Sequence, residues 1–174
     1  DVVSVYSTGV KNVIANSGTA LTERQINLIW KFFTNPIICL DGDESGQKAA
    51  VRIAEKLFPL INEKNRIFFS IMPDGKDPDD YIKQNGKEGL LNLLKEKDII
   101  QSYIWNYHFN KIDQNNPYEI SKFEKEIKTL SYSIQDEVLK KYVLEDFLEK
   151  IKKLTPIQSS RQDYKYSLYK KQKN

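Results

Sequence analysis

The stretch Ile37-Ile38-Cys39-Leu40-Asp41-Gly42-Asp43-Glu44-Ser45-Gly46 decides the fold. The apolar run that follows Pro36 predicts a buried strand over 36–40. Two carboxylates, Asp41 and Asp43, come directly after it, and Gly42 between them permits a tight turn. A helix over 45–58 begins at once, with Ala49, Ala50, Ile53, Ala54 and Leu57 on one face. In open α/β sheets ligands sit outside the carboxyl ends of the strands. Hard cations such as Mg²⁺ take a few oxygen ligands there and share the rest with water and phosphate. Asp41 and Asp43 suit that role.

The pattern recurs one strand later. A strand over 66–72 runs into Pro73-Asp74-Gly75-Lys76-Asp77-Pro78-Asp79-Asp80. Asp77 and Asp79 flank a proline that stiffens the loop. If the two strands are parallel neighbours, both acidic pairs meet at one sheet edge, where they repel one another unless a cation is bound. That convergence predicts a metal centre of the two-cation kind used for nucleotidyl transfer. The plainer readings are a loop with a helix cap for Asp41-Gly42-Asp43, and a cap at Asp79 for a helix starting at Asp80. An EF-hand is excluded, because Arg52 stands where its bidentate glutamate is required and a strand precedes the loop.

Working outward, Asp1 to Ser7 reads as the end of a helix stopped by Gly9. Val10 to Ala15 reads as a short strand, closed by Asn16, Ser17 and Gly18. Thr22 and Gln25 form a capping box for a helix that buries Ile26, Ile29, Trp30 and Phe33 and ends near Asn35-Pro36. No strand is expected after Met72. Amphipathic helices follow over 87–96, 99–109, 117–130 and 134–154. The organisation is an α/β unit over 1–96, an all-helical unit over 97–155, and a basic tail over 156–174. In the segment from Lys150 onward, Asp163 alone opposes Lys150, Lys152, Lys153, Arg161, Lys165, Lys170, Lys171 and Lys173. Such a segment suits phosphates by counterion release, or is a solvated linker. Tyr164, Tyr166 and Tyr169 among those lysines offer stacking surfaces for single-stranded nucleic acid, or none.

Composition narrows the class. With 174 residues, 40% hydrophobic and 29% charged, the chain can bury a core. No stretch is long and apolar enough to suggest a membrane span, and the first residues lack a signal peptide's basic head. A single cysteine, Cys39, leaves no disulfide framework and no cysteine-based zinc site. A reducing cytoplasm is the natural setting. The net charge of +3 indicates no partner by itself. His108, the sole histidine, has no metal-ligand spacing and is expected in packing or at the surface. Trp30 and Trp105 are expected in the core.

The acidic motifs resemble the Toprim fold of bacterial primases, topoisomerases and some nucleases, a Rossmann-like parallel sheet. Three features are similar to the DnaG-type bacterial primases in particular. These are Ser17-Gly18-Thr19-Ala20-Leu21-Thr22, Asp41-Gly42-Asp43-x-x-Gly46-x-x-Ala49-Ala50, and Met72-Pro73-Asp74-Gly75-Lys76-Asp77-Pro78-Asp79. The helices over 99–154 sit where that family has a helical subdomain.

The resemblance implies that Asp41, Asp43, Asp77 and Asp79 hold Mg²⁺ or Mn²⁺ against the phosphates of an incoming nucleotide. Asp1 resembles the last aspartate of the family's Glu-Gly-Tyr-Met-Asp motif, whose glutamate would precede residue 1. The implied activity is synthesis of RNA primers from ribonucleoside triphosphates on a single-stranded DNA template, at the bacterial replication fork. Lys48, Arg52 and Lys76 lie near the site in sequence and would touch phosphate, or else form a solvated face. The family's zinc module, its basic polymerase half and its helicase-binding domain have no counterpart in these residues. Activity is therefore expected of a longer parent and not of this stretch alone. A Toprim nuclease or topoisomerase, and a non-catalytic Toprim scaffold that binds DNA, are the competing functions.

Overall fold

The computed structural model describes residues 2–16 and 21–154. In chain order the helices are α1 (Val2–Ser7), α2 (Glu23–Trp30), α3 (Glu44–Leu57), α4 (Pro78–Lys95), α5 (Ile100–Phe109), α6 (Pro117–Tyr132) and α7 (Glu137–Leu154). The strands are β1 (Ile37–Leu40), β2 (Phe68–Ile71) and β3 (Asp98–Ile99), forming one sheet of order β1-β2-β3. β1 and β2 run parallel, with Ile37 opposite Phe68 and Leu40 opposite Ile71. α3 joins them, so the centre of the molecule is a βαβ unit.

Period-two alternation divides the sheet between two apolar layers. Ile38, Leu40, Phe69 and Ile71 face the larger one, which takes Ile26 and Trp30 from α2 and Ala50, Ile53, Ala54 and Leu57 from α3. The same cluster continues through Ile104 and Trp105 of α5 and Phe123 and Ile127 of α6 into Phe147 and Ile151 of α7. Met72 faces the smaller layer, with Val5 of α1 and Ile82 and Leu90 of α4. Among the described residues, no helix is long and apolar enough to cross a membrane.

Several expectations change. Val10 to Ala15 is not a strand; Val10 and Val13 instead pack against the smaller layer without a ladder partner. A short β3 does follow Met72, pairing antiparallel to β2 through Phe68–Ile99 and Phe69–Asp98. Two residues carry no periodicity, so sequence pattern could not reveal it. β1 is half-buried rather than buried, with Cys39 exposed.

α2 ends at Trp30, whose indole N–H donates to the Arg66 carbonyl at 3.1 Å. Phe33 lies past the end of the helix and is 55% exposed. α4 starts nine residues before the expected Lys87, and left-handed Gly86 (φ 64°) interrupts it. Ile134 is buried in the turn before α7, where the Gln135 N–H donates to the Pro59 carbonyl at 2.9 Å.

Three further readings hold. Thr22 and Gln25 form the expected capping box, Gly9 follows α1 at φ 92°, and Trp30 and Trp105 are buried. His108 is mostly buried and links three helices, its Nε2 lying 2.9 Å from Glu55 and its Nδ1 3.9 Å from Glu126. Asp1, the turn residues 17–20 and the tail over 156–174, with its lysines and tyrosines, lie outside the described residues.

Candidate metal centre

Parallel pairing sends both acidic loops out of the same sheet edge, where backbone bonds lace them together. The Met72 N–H donates to the Leu40 carbonyl and the Gly42 N–H to the Lys76 carbonyl, each at 3.0 Å. Two glycines make this approach possible. A Cβ at position 42 would lie 2.0 Å from the Met72 carbonyl oxygen, and one at position 46 would lie 2.2 Å from that of Asp41. Both obstacles are main chain, which no side-chain rotation relieves. Gly42→Ala is expected to destabilise the fold by about 1–3 kcal/mol, read as a lower urea midpoint at unchanged m-value. An unshifted midpoint would mean that the loops separate freely.

Each acidic pair has one member that caps a helix. Asp43 is the N-cap of α3, its Oδ1 accepting the Gly46 N–H at 2.6 Å. Asp77 does the same for α4, its Oδ1 accepting the Asp80 N–H at 2.7 Å, with Pro78 in the first turn. The cap at this loop is therefore Asp77, and Asp79 lies within the first turn of the helix. Capping leaves the second oxygen of Asp43 and of Asp77 available while the cap bond fixes the rotamer.

Asp77, Asp79 and Asp80 each bring a carboxylate oxygen within 4.8 Å of the other two. Asp80 was not among the ligands expected. Its signal was the Asp77-Pro78-Asp79-Asp80 run itself, because N-cap, N2 and N3 positions converge on the first turn of a helix. Asp41 and Asp43 stand outside this trio.

Asp41 is nevertheless within electrostatic reach. Partial burial at the sheet edge pushes its carboxyl above the usual carboxylate range, and the charges of Asp43 and Asp77 push it further. The folded state therefore holds this proton more tightly than the unfolded chain does. Stability is present below the ordinary carboxylate range and falls as pH rises through the raised value. Asp41→Asn should accordingly raise the urea midpoint at pH 7, the gain shrinking near pH 4. A lower midpoint at pH 7 would show that Asp41 is a net stabiliser.

Asp79 moves the opposite way. Bonds from Lys83 and then from Ser4 hold its carboxyl below the usual range. An all-oxygen donor set, partly open to water and carrying self-repelling charge, fits a hard divalent cation. Two of the three basic residues near the site are otherwise engaged. Lys48 pairs with Glu44 at 2.5 Å and Lys76 with Asp74 at 3.3 Å, while Arg52 is exposed on α3. Lys76 serves the site through its carbonyl.

A family model described as Toprim-like matches residues 1–82. The DNA primase of Rickettsia felis is 31% identical over 151 residues, covering 87% of this chain and 25% of its own length. The chain is homologous to the DnaG-type bacterial primases over most of its residues. Its fold agrees with the solved catalytic core of the Escherichia coli primase at a TM-score of 0.78, with 26% identity over 86% of this chain and 48% of that one. A DnaG primase catalytic domain bound to single-stranded DNA gives a TM-score of 0.79 and 25% identity, covering 86% of this chain and 47% of that one. The chain spans about a quarter of the length of the curated relatives it matches. The Toprim fold followed by helices, expected from the two acidic loops, is therefore present, with the short antiparallel β3 added to its parallel pair.

Proposed function

We propose that this chain carries the cation-binding half of a primase active centre, in a longer protein that synthesises RNA primers on single-stranded DNA. The observation that carries the reading is the meeting of two acidic loops at one edge of a parallel β1–β2 pair, braced by Gly42 and Gly46. Asp41, Asp43, Asp77 and Asp79 are the proposed ligands, with Asp80 added by proximity and Asp1 by its place in the sequence. Mg²⁺ or Mn²⁺ is the proposed ion.

Bound divalent cations would supply Lewis acidity at the attacking 3′-hydroxyl and neutralise charge at the phosphorus centre. The chain's own residues set the stage for that. Asp43 and Asp77 present one oxygen each from fixed caps, and the Gly42–Lys76 bond keeps the two loops in register. The carboxylates act as ligands, with no proton-transfer role. The substrates would be ribonucleoside triphosphates and a single-stranded template, the latter supported by the relative solved with single-stranded DNA.

In this reading residues 1–96 form the Toprim part, 97–155 the helical subdomain and 156–174 a basic tail or linker. A replicative helicase would be engaged by a part of the parent outside this chain, at the replication fork. Lys48 and Lys76 would contact phosphate only after leaving their present partners, and Arg52 would do so directly from its exposed place on α3.

The test supplies the full-length parent with single-stranded DNA, ribonucleotides and Mg²⁺. Short oligoribonucleotides are the expected product. Strand cleavage without synthesis would transfer the site to the nuclease class, and DNA binding with neither reaction would make it a scaffold.

A further inference from the structure

One cation already sits at the acidic cluster, and it belongs to the protein. The Lys83 ammonium lies 2.5 Å from Oδ2 of Asp79 and 3.9 Å from Oδ1 of Asp80. It therefore bridges two of the three carboxylates whose oxygens converge. Lys83 reaches them from one turn further along α4, and its side chain remains 66% exposed, free to swing into water. The other oxygen of Asp79 accepts a hydrogen bond from the Ser4 hydroxyl of α1. α1 is itself seated on α4 through Val5, Ile82 and Leu90. Both oxygens of Asp79 are thus taken by protein donors, one from a packed helix and one from an exposed lysine.

We propose that Lys83 is the resident counter-ion of the acidic loop, displaced from Asp79 and Asp80 when a divalent cation binds, while Ser4 holds the Asp79 carboxylate in its orientation. The proposal rests on the cation-binding reading above. Three like charges within this small space repel one another, and an ammonium between them keeps the loop together until a stronger cation arrives. The exchange costs little, because an exposed lysine–carboxylate pair contributes only weakly. The Ser4 bond can persist, since it occupies the oxygen that Lys83 does not. Lys83 and Ser4 are positioning residues, acting on the cation through Asp79.

The test is Mn²⁺ titration by calorimetry on the chain and on Asp79→Asn, Lys83→Met, Lys83→Arg and Ser4→Ala. Removing the competing ammonium in Lys83→Met should tighten binding about 2- to 5-fold, the range set by an exposed ion pair. Lys83→Arg, which keeps the charge, should leave affinity near the wild-type value. Ser4→Ala should weaken binding by about 3-fold, as expected for one lost orienting bond. A second readout is amine acetylation followed by mass spectrometry. Mg²⁺ should increase labelling of Lys83 but not of Lys128, which pairs with Glu124 on α6. Binding that depends on Asp79, with Lys83→Met no tighter and Lys83 labelling unchanged by Mg²⁺, overturns this inference alone. Absence of Mn²⁺ binding by the wild type overturns the cation-binding reading and this inference together.

Discussion

In the parent protein, Asp41→Asn is expected to cut oligoribonucleotide synthesis by on the order of 10³-fold, the several kcal/mol that a metal-held charge cluster gives a phosphoryl transition state. Asp41 is well placed for an effect of that size. It is the first residue beyond β1, its backbone is pressed against Gly46, and its carboxyl feels both Asp43 and Asp77. Asparagine preserves shape and removes charge, so a folding defect is not expected to explain the loss. The same substitution should relieve repulsion and stabilise the cation-free protein at neutral pH, as argued above. Activity and stability thus move in opposite directions at one atom, as expected where a site keeps charges together for a bound ion. The check is single-turnover primer synthesis at saturating ribonucleotide, alongside urea unfolding without divalent ions. Activity within 10-fold of wild type would remove Asp41 from the machinery.

Phe123→Ala should have the largest effect on the fold itself. Phe123 is 1% exposed and packs edge-on against Trp105 with ring centroids 5.0 Å apart, while Trp105 in turn meets Phe147 at 5.4 Å. Truncating a fully buried phenylalanine costs about 3–5 kcal/mol, as lost transfer energy plus the cavity left behind. For a chain of this size that is a fall of roughly 6–20 °C in Tm. The consequence should reach the sheet. Phe123 shares one continuous apolar cluster with Ile53, Leu57 and Phe69, and Phe69 stacks on Tyr103 of α5 at 4.7 Å. A single shifted transition, followed by both tryptophan fluorescence and far-ultraviolet dichroism, is the expected result. Separate transitions would mean that the helices fold independently of the sheet.

How much of this was legible beforehand varied with how local the cause was. Thr22 and Gln25 reveal their helix start because a capping box is closed within four residues. The two acidic loops were legible for a similar reason, since an apolar run leads straight into Asp41-Gly42-Asp43 and another is followed within a few residues by Asp77-Pro78-Asp79. The Val10 to Ala15 segment misled, because its apolar content suits a strand but a strand exists only where a neighbour completes its ladder. β3 was hidden for the converse reason. Asp98 and Ile99 have no strand signature of their own, and β2 confers it on them. Phe33 was misplaced because helical spacing was extended past the residue where the helix stops.

The sequence by itself determined the order of strand, acidic turn and helix, the four aspartates and the family resemblance, all set by spacing along the chain. Tertiary structure decided what those residues meet. The need for glycine at 42 and 46 comes from the Met72 and Asp41 carbonyls, one of them thirty residues away along the chain. The hold of Ser4 on Asp79 likewise comes from two helices distant in sequence. Spacing fixes what the backbone does over a few residues. Contacts between distant segments depend on how the apolar layers pack, and only the folded chain settles that.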